Sequence, residues 1–262
     1  MLARRLRRDA AKFNWFAVTI DLTVLVLGVF LGLQVSNWNE DRIERRQERS
    51  FRSQLIEDLR ANEEDLREWH GEYKQVRDHA LEALKVLEDP AQPGDQQFII
   101  NAHRATQILP RTLTRSTYEE LIASGALNML GSAGMRRQVK AYYEGLDNAE
   151  VTLRTTLPYR EHLQKVMPYG AQRQVRMDCL GGSGITPAGE QMRTTPQPCR
   201  IDLNSESLNN AVAQVRQAPG LSADLTRHLI DLDLKLDLIT LLNLRAQRLR
   251  QAVESVDSQA TT

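Results

Sequence analysis

The chain has 262 residues, and its 34 Lys and Arg balance its 34 Asp and Glu, so the formal net charge is zero. Charged residues make up 26% and aromatic residues 5% of the chain, a composition that suits a helical protein better than a disordered one. Because the charge is balanced and Lys and Arg cluster only on the flanks of one apolar segment, we expect no nucleic-acid partner.

The chain begins with a basic tail, residues 1–14, followed by an almost uninterrupted apolar segment from Trp15 to Trp38. About 20 apolar residues in a helix span a hydrocarbon core, and tryptophan favours the two interfaces. We therefore predict one transmembrane helix over residues 15–38, in contact with membrane lipid. The alternative is a cleaved signal peptide. The segment is long for one, carries Asp21 and lacks an A-x-A-like cleavage site.

Three residues of this segment favour helix packing in the membrane. Asp21, Gly28 and Gly32 are spaced by seven and four, which places them on one face of a helix. A GxxxG pair lets two helix backbones approach closely, and a carboxyl group on the same face needs a partner in a dry environment. We expect self-association or packing against another membrane protein. In the alternative interpretation, Asp21 reaches the headgroups and the glycines are incidental.

The orientation of the chain depends on its two cysteines, because basic residues flank the apolar segment on both sides. Cys179 and Cys199 bracket a Gly/Pro-rich segment without helical period, and we expect an irregular loop over residues 168–201. Two cysteines that close one loop indicate a disulfide formed in an oxidising compartment. This pattern favours a cytoplasmic N-terminus and a periplasmic C-terminal domain. The alternative is two unrelated thiols in a cytosolic loop.

Two stretches resemble a known family. GVFLGLQVSNWNEDR, preceded by an acidic residue and followed by a charged helix, is similar to the N-terminal signature of a bacterial family of uncharacterised single-pass membrane proteins. TYEELIASGALNML, from Thr117 to Leu130, is the second similar stretch. The resemblance implies a place in the bacterial inner membrane and a single-pass architecture. It implies no catalytic residues.

After the predicted span the chain is predicted to be all-α. Residues 39–50 are polar on all sides and predict a helical stalk. From Phe51 onward, apolar residues recur at alternating spacings of four and three, as in a helix that packs along another helix. These residues are Leu55, Leu59, Asn62, Leu66, Trp69, Tyr73, Val76, Ala80, Ala83 and Leu87. We favour an antiparallel helical bundle over residues 51–257, with a coiled coil between subunits as the alternative and residues 258–262 as a disordered tail.

Shorter helices are predicted over residues 96–108 and 205–217, and a longer one over residues 132–167 that Pro158 kinks or splits. Ser116 and Glu119 predict a capping box for a further helix, and Gly125 fits its C-terminal cap. The longer helix is expected to bury five residues, Tyr142, Tyr143, Leu146, Val151 and Leu153.

The last long segment alternates like a strand from Ile230 to Leu238, but Leu, Asp and Lys are poor strand formers and its flanks have helical period. We predict a helix, with Leu234, Leu238 and Leu241 as a second apolar stripe that indicates a central position in the bundle.

Motifs for chemistry are missing from the sequence. It contains no P-loop, nucleophile elbow or dinucleotide fingerprint, and its histidines lack metal-ligand spacing, so we expect no cofactor, metal or catalytic residue. The five histidines are His70, His79, His103, His162 and His228. The sequence favours a non-enzymatic interaction module. The alternative is a periplasmic sensor that binds a small ligand between its helices and signals through a membrane partner, with Trp69, Arg111, Tyr142 and Tyr143 as candidate lining residues.

Overall fold

The computed structural model describes residues 15–108, 111–179 and 199–259, and all regular elements among them are helices. The all-α prediction is therefore confirmed. The predicted basic tail, residues 1–14, lies outside the described residues, as do residues 260–262 of the predicted C-terminal tail.

The longest helix, α1 (Trp15–Glu88), contains the predicted span, the stalk and the first helix of the bundle in 74 continuous residues. At 1.5 Å per residue it is roughly 110 Å long. It ends where the Asp89 carboxylate accepts a hydrogen bond from the backbone N–H of Ala91, at 2.9 Å. Pro90 then prevents another turn. The predicted span and the bundle thus share one helix.

The second long helix, α8 (Leu221–Gln259), runs antiparallel to α1 and packs along it. Ion pairs fix the alignment of the two helices: Arg60 lies 2.8 Å from Glu254 and Arg250 lies 2.6 Å from Glu63. Helix α8 includes the whole of Ile230–Leu238, so the helical interpretation of that segment is confirmed. Helix α8 also extends through Gln259. The predicted disordered tail, residues 258–262, is therefore wrong for residues 258 and 259, which are helical.

The alternating stripe of α1 is the centre of the core. Its members from Leu55 to Ala83 are all buried, and Leu87 is half-buried. They pack against helices of the same chain, as predicted for a bundle.

In the described ranges, seven shorter helices cover the α1–α8 pair. They are α2 (Gln96–Arg104), α3 (Ser116–Ala123), a 3-10 helix (Ala126–Leu130), α4 (Ala133–Arg154), α5 (Tyr159–Val166), α6 (Tyr169–Cys179) and α7 (Ser205–Arg216). Helices α2 and α3 and the 3-10 helix pack on α1, whereas α4 and α5 pack on α8. Helices α6 and α7 pack on α2, at the end of the bundle remote from the predicted span.

The start of α3 differs from the prediction. Ser116 is its first helical residue, and no side chain of the segment itself caps the helix. Instead, the Asp58 carboxylate on α1 accepts from the Thr117 N–H at 2.9 Å and from Ser116 Oγ at 3.1 Å. The predicted capping box is therefore wrong, because an acid distant in sequence is packed against the free N–H groups. Gly125 follows the helix at φ +69°, as its predicted capping role requires.

Helix α4 ends at Arg154 and α5 begins at Tyr159, so Pro158 splits the predicted helix instead of kinking it. Val151 was expected to be buried but is 72% exposed. It follows Tyr142 by nine residues, or two and a half turns, and therefore points away from the buried side.

Two further expectations are wrong. The irregular loop does not begin at residue 168, because α6 occupies Tyr169–Cys179 and buries Ala171, Val175 and Cys179 at helical spacing. Residues 180–198 of that loop lie outside the described residues. Leu234 and Leu241 are 56% and 42% exposed, so α8 is not central but lies at the edge of the bundle.

Candidate functional site

The described part of the chain contains one helix long and apolar enough to cross a membrane, and this is α1. The qualifying stretch has no buried share at all, unlike the core helix of a soluble protein. Large apolar side chains surround it: Leu22, Leu25, Val29, Phe30 and Leu33 are each more than half exposed. Such a surface is stable in lipid or against another apolar helix, and costly in water.

Asp21, Gly28 and Gly32 lie on one face of this stretch, as their spacing predicts. A Cβ atom added at Gly28 or Gly32 would meet no atom within 4 Å, so nothing in the described chain occupies the groove that the glycines form. The structure thus leaves the predicted packing face open. In the part of the chain that the structure describes, no element of the bundle covers this face.

The two cysteines meet at the remote end of the bundle. Cys179 ends α6, and its sulfur lies 2.00 Å from that of Cys199, a disulfide distance, with the Cα atoms 5.2 Å apart. Arg104 of α2 donates to the Cys179 carbonyl at 2.5 Å. The pair therefore ties α6 to the segment before α7, next to α2.

A small cavity lies between α1, α4, α8 and the segment before α3. Trp69, Arg111, Arg115 and Leu242 are among its lining residues, and its volume is about 20 Å³. That space holds about one water molecule. Trp69 and Arg111 converge there as the ligand-binding alternative predicts, whereas Tyr142 and Tyr143 do not line the cavity.

The polar groups of this cavity are largely engaged already. Arg111 forms ion pairs with Asp65 at 3.7 Å, with Glu68 at 3.1 Å and with Glu72. Arg115 pairs with Asp147 at 2.6 Å and Glu150 at 3.5 Å. Trp69 Nε1 is buried without a partner that meets hydrogen-bond geometry. One water fits a space of this volume, and an organic ligand does not.

Two buried histidines, His103 and His228, and the half-buried His79 lie in the half of the bundle remote from the predicted span. Burial, together with the nearby guanidinium groups of Arg176 and Arg160, lowers the pKa of His103 to about 4. Burial also lowers the pKa of His79 and of His228. These side chains are packed and neutral, as most lone histidines are. In the described residues, no group of three or more His, Cys, Asp or Glu is arranged to hold a metal ion.

Sequence reasoning missed Lys235, whose side chain is fully buried in the core. Its Nζ lies 2.8 Å from Asp231 and donates to the Thr155 carbonyl just after α4. Asp231 and Lys235 are four residues apart in IDLDLKLDL. In a helix this spacing is about one turn, so the two side chains lie on the same face.

Sequence reasoning also missed an apolar seam on the outside of α8. We call it the α8 seam: Ile230, Leu234, Leu241 and Leu244, which are 68%, 56%, 42% and 45% exposed. Outside the predicted span, it is the largest set of exposed large apolar side chains on one described helix.

The chain matches no protein-family profile, no curated protein and no solved structure. The resemblance of GVFLGLQVSNWNEDR and TYEELIASGALNML to a family therefore stays a prediction.

Proposed function

We propose that this protein is a single-pass, membrane-anchored interaction module without enzymatic activity, which associates with itself or with another membrane protein. The observation that carries the proposal is the continuity of α1. Its N-terminal part is an apolar helix with an open glycine face, and its C-terminal part is the core of a bundle. A helix built in this way couples a neighbour in the membrane to the folded domain without a flexible joint.

The proposed orientation has the N-terminus in the cytoplasm and the bundle in the periplasm of the bacterial inner membrane. Its support is the cysteine pair at disulfide distance, because such bonds persist in oxidising compartments. The resemblance to single-pass membrane proteins supports the same location. A reporter active only in the periplasm, fused after Thr262, should be active, and a reporter active only in the cytosol should be silent.

The stalk gives the bundle a defined height above the lipid. Residues 39–47 are helical and exposed, and the first fully buried residue of the core is Leu55. Sixteen residues of helix between Trp38 and Leu55 correspond to about 24 Å. On this proposal, a soluble partner meets the bundle clear of the headgroups, while a membrane partner meets the span first.

The test is association of the full chain in membranes. Two differently tagged copies are expressed together, the membranes are solubilised in mild detergent, and one tag is captured. We expect the other copy, or a specific membrane protein, to co-purify. Gly28→Leu should reduce the yield because it fills the open glycine face. Val26→Phe is the matched control, since it adds bulk to the opposite face of the same helix.

A chain that is monomeric at all concentrations, together with unchanged co-purification for Gly28→Leu, would refute the proposal. The small-ligand alternative gains no support from a cavity of about 20 Å³, so it is not proposed as a second function.

A further inference from the structure

One arginine bridges three helices at the end of the bundle remote from the predicted span. Arg104, the last residue of α2, donates to Nε2 of His79 on α1 at 3.4 Å and to the Cys179 carbonyl of α6 at 2.5 Å. Cys179 is the last residue of α6, where helix carbonyls have no partner within the helix. Arg104 therefore caps α6 and holds its end against α2.

The contacts of His79 fix its protonation state. A guanidinium can only donate hydrogen bonds, so His79 Nε2 accepts from Arg104 and carries no proton. The ring proton lies on Nδ1, which is 2.9 Å from Oδ1 of Asn101. Gln97 Nε2 also donates to this oxygen, at 3.0 Å, as expected for an acceptor. The bridge thus requires a neutral imidazole.

Protonation of His79 breaks the bridge for a geometric reason. Nε2 then carries a hydrogen that points at the Arg104 guanidinium, and two positive charges face each other. Burial lowers the pKa of His79 and Arg104 lowers it as well, whereas Asn101 and Asp78 raise it. Because the folded-state pKa lies below the unfolded value of about 6.5, the bridge is fully present above that pH and is lost as the pH falls.

The surroundings offer the displaced guanidinium little compensation. Arg104 Nε is already buried without a hydrogen-bond partner. Arg160 on α5 and Arg176 on α6 bring further positive charge to this end of α2. At this level of the bundle α8 contributes Asp233, which is paired with Arg77 of α1. The bridge therefore depends on its two acceptors, the imidazole and the carbonyl that ends α6.

We propose that the Arg104 bridge is an acid-operated latch, in which protonation of His79 releases the C-terminal end of α6 from α2 while the two long helices stay folded. Helix α6 has 11 residues, and a helix this short depends on packing and capping for its stability. Its buried face is small and includes Ala171 and Val175. The disulfide to Cys199 keeps the released end attached. This device goes beyond the proposed function, since it does not require association.

Hydrogen exchange of the detergent-solubilised full chain, followed by mass spectrometry at pH 7.5 and pH 5, tests the latch. Rates are corrected for the pH dependence of exchange itself, and labelling times are chosen at which residues 246–253 of α8 stay protected. Only local opening is then seen. Exchange over Tyr169–Cys179 should be about tenfold faster at pH 5, because losing one hydrogen bond from a charged donor changes an opening equilibrium by about this factor.

Two variants and a control assign the effect to the bridge. His79→Gln does not titrate and keeps an acceptor for Arg104, so α6 should stay protected at pH 5. Arg104→Met removes the donor, so α6 should exchange at pH 7.5 about as fast as wild-type α6 does at pH 5. His70→Gln is the matched control, because it replaces another half-buried histidine of α1 outside the bridge and should leave the acid response unchanged.

Equal protection of wild-type α6 at the two pH values would overturn the latch, as would an acid response of His79→Gln equal to that of the wild type. Exchange of α6 only together with residues 246–253 would show unfolding of the whole bundle, and would overturn it too. Unchanged protection of α6 at pH 7.5 in Arg104→Met would show that the bridge does not hold this helix, with the same consequence.

Discussion

Acidification should destabilise the half of the bundle remote from the predicted span, and the pKa of His103 gives the size of this effect. The folded-state pKa of His103 is about 4, against about 6.5 for an exposed histidine. The unfolded chain therefore takes up a proton first as the pH falls. The stability that neutral His103 contributes is fully present above pH 6.5 and is lost as the pH falls towards 4. For a group with these two pKa values, the free energy of unfolding drops by about 2 kcal/mol at pH 5 and by roughly 3 kcal/mol at pH 4.

The structural cause is specific to the site. His103 is 7% exposed, and its Nδ1 has no hydrogen-bond partner. The charged groups near it are Arg104, Arg160 and Arg176, which all oppose a second positive charge. His79 and His228 also have lowered pKa values, so their contributions have the same sign.

The measurement is urea unfolding of the detergent-solubilised full chain, followed by helical circular dichroism at pH 7.5 and pH 5. His103→Gln does not titrate, so its loss of stability between these pH values should be about 2 kcal/mol smaller than that of the wild type. Only this difference is compared, because the substitution also has its own cost at neutral pH. Equal losses for the variant and the wild type would refute the reasoning.

Three further substitutions test the structure through the free energy of unfolding. Asp58→Ala removes the acceptor for the Thr117 N–H and should cost about 1 kcal/mol, whereas the exposed neighbour Glu57→Ala should be nearly neutral; equal effects would refute the cap. Lys235→Met leaves the Asp231 carboxylate without its buried partner and should cost about 3 kcal/mol, and adding Asp231→Leu should recover most of the loss. Cys179→Ser opens a loop of sequence separation 20 and should cost roughly 3 kcal/mol, while the wild-type thiols should resist alkylation until a reductant is added.

Much of the fold follows from periodicity. The four-and-three spacing from Leu55 to Ala83 identified the buried face of α1 correctly, because a long regular stripe has only one face to bury. The start of α3 could not be predicted from the local sequence, because its cap is Asp58, which is far away in the chain. No local pattern contains that information.

The apolar residues of α8 show the limit of the same method. Leucines occur on two sides of this helix, and the sequence cannot tell which side meets α1, α4 and α5. In the structure Leu232 and Ile239 are buried, and Leu234 and Leu241 lie at the surface. Asp21, Gly28 and Gly32 were predicted from spacing alone, and no atom of the described residues lies within 4 Å of a Cβ added at either glycine.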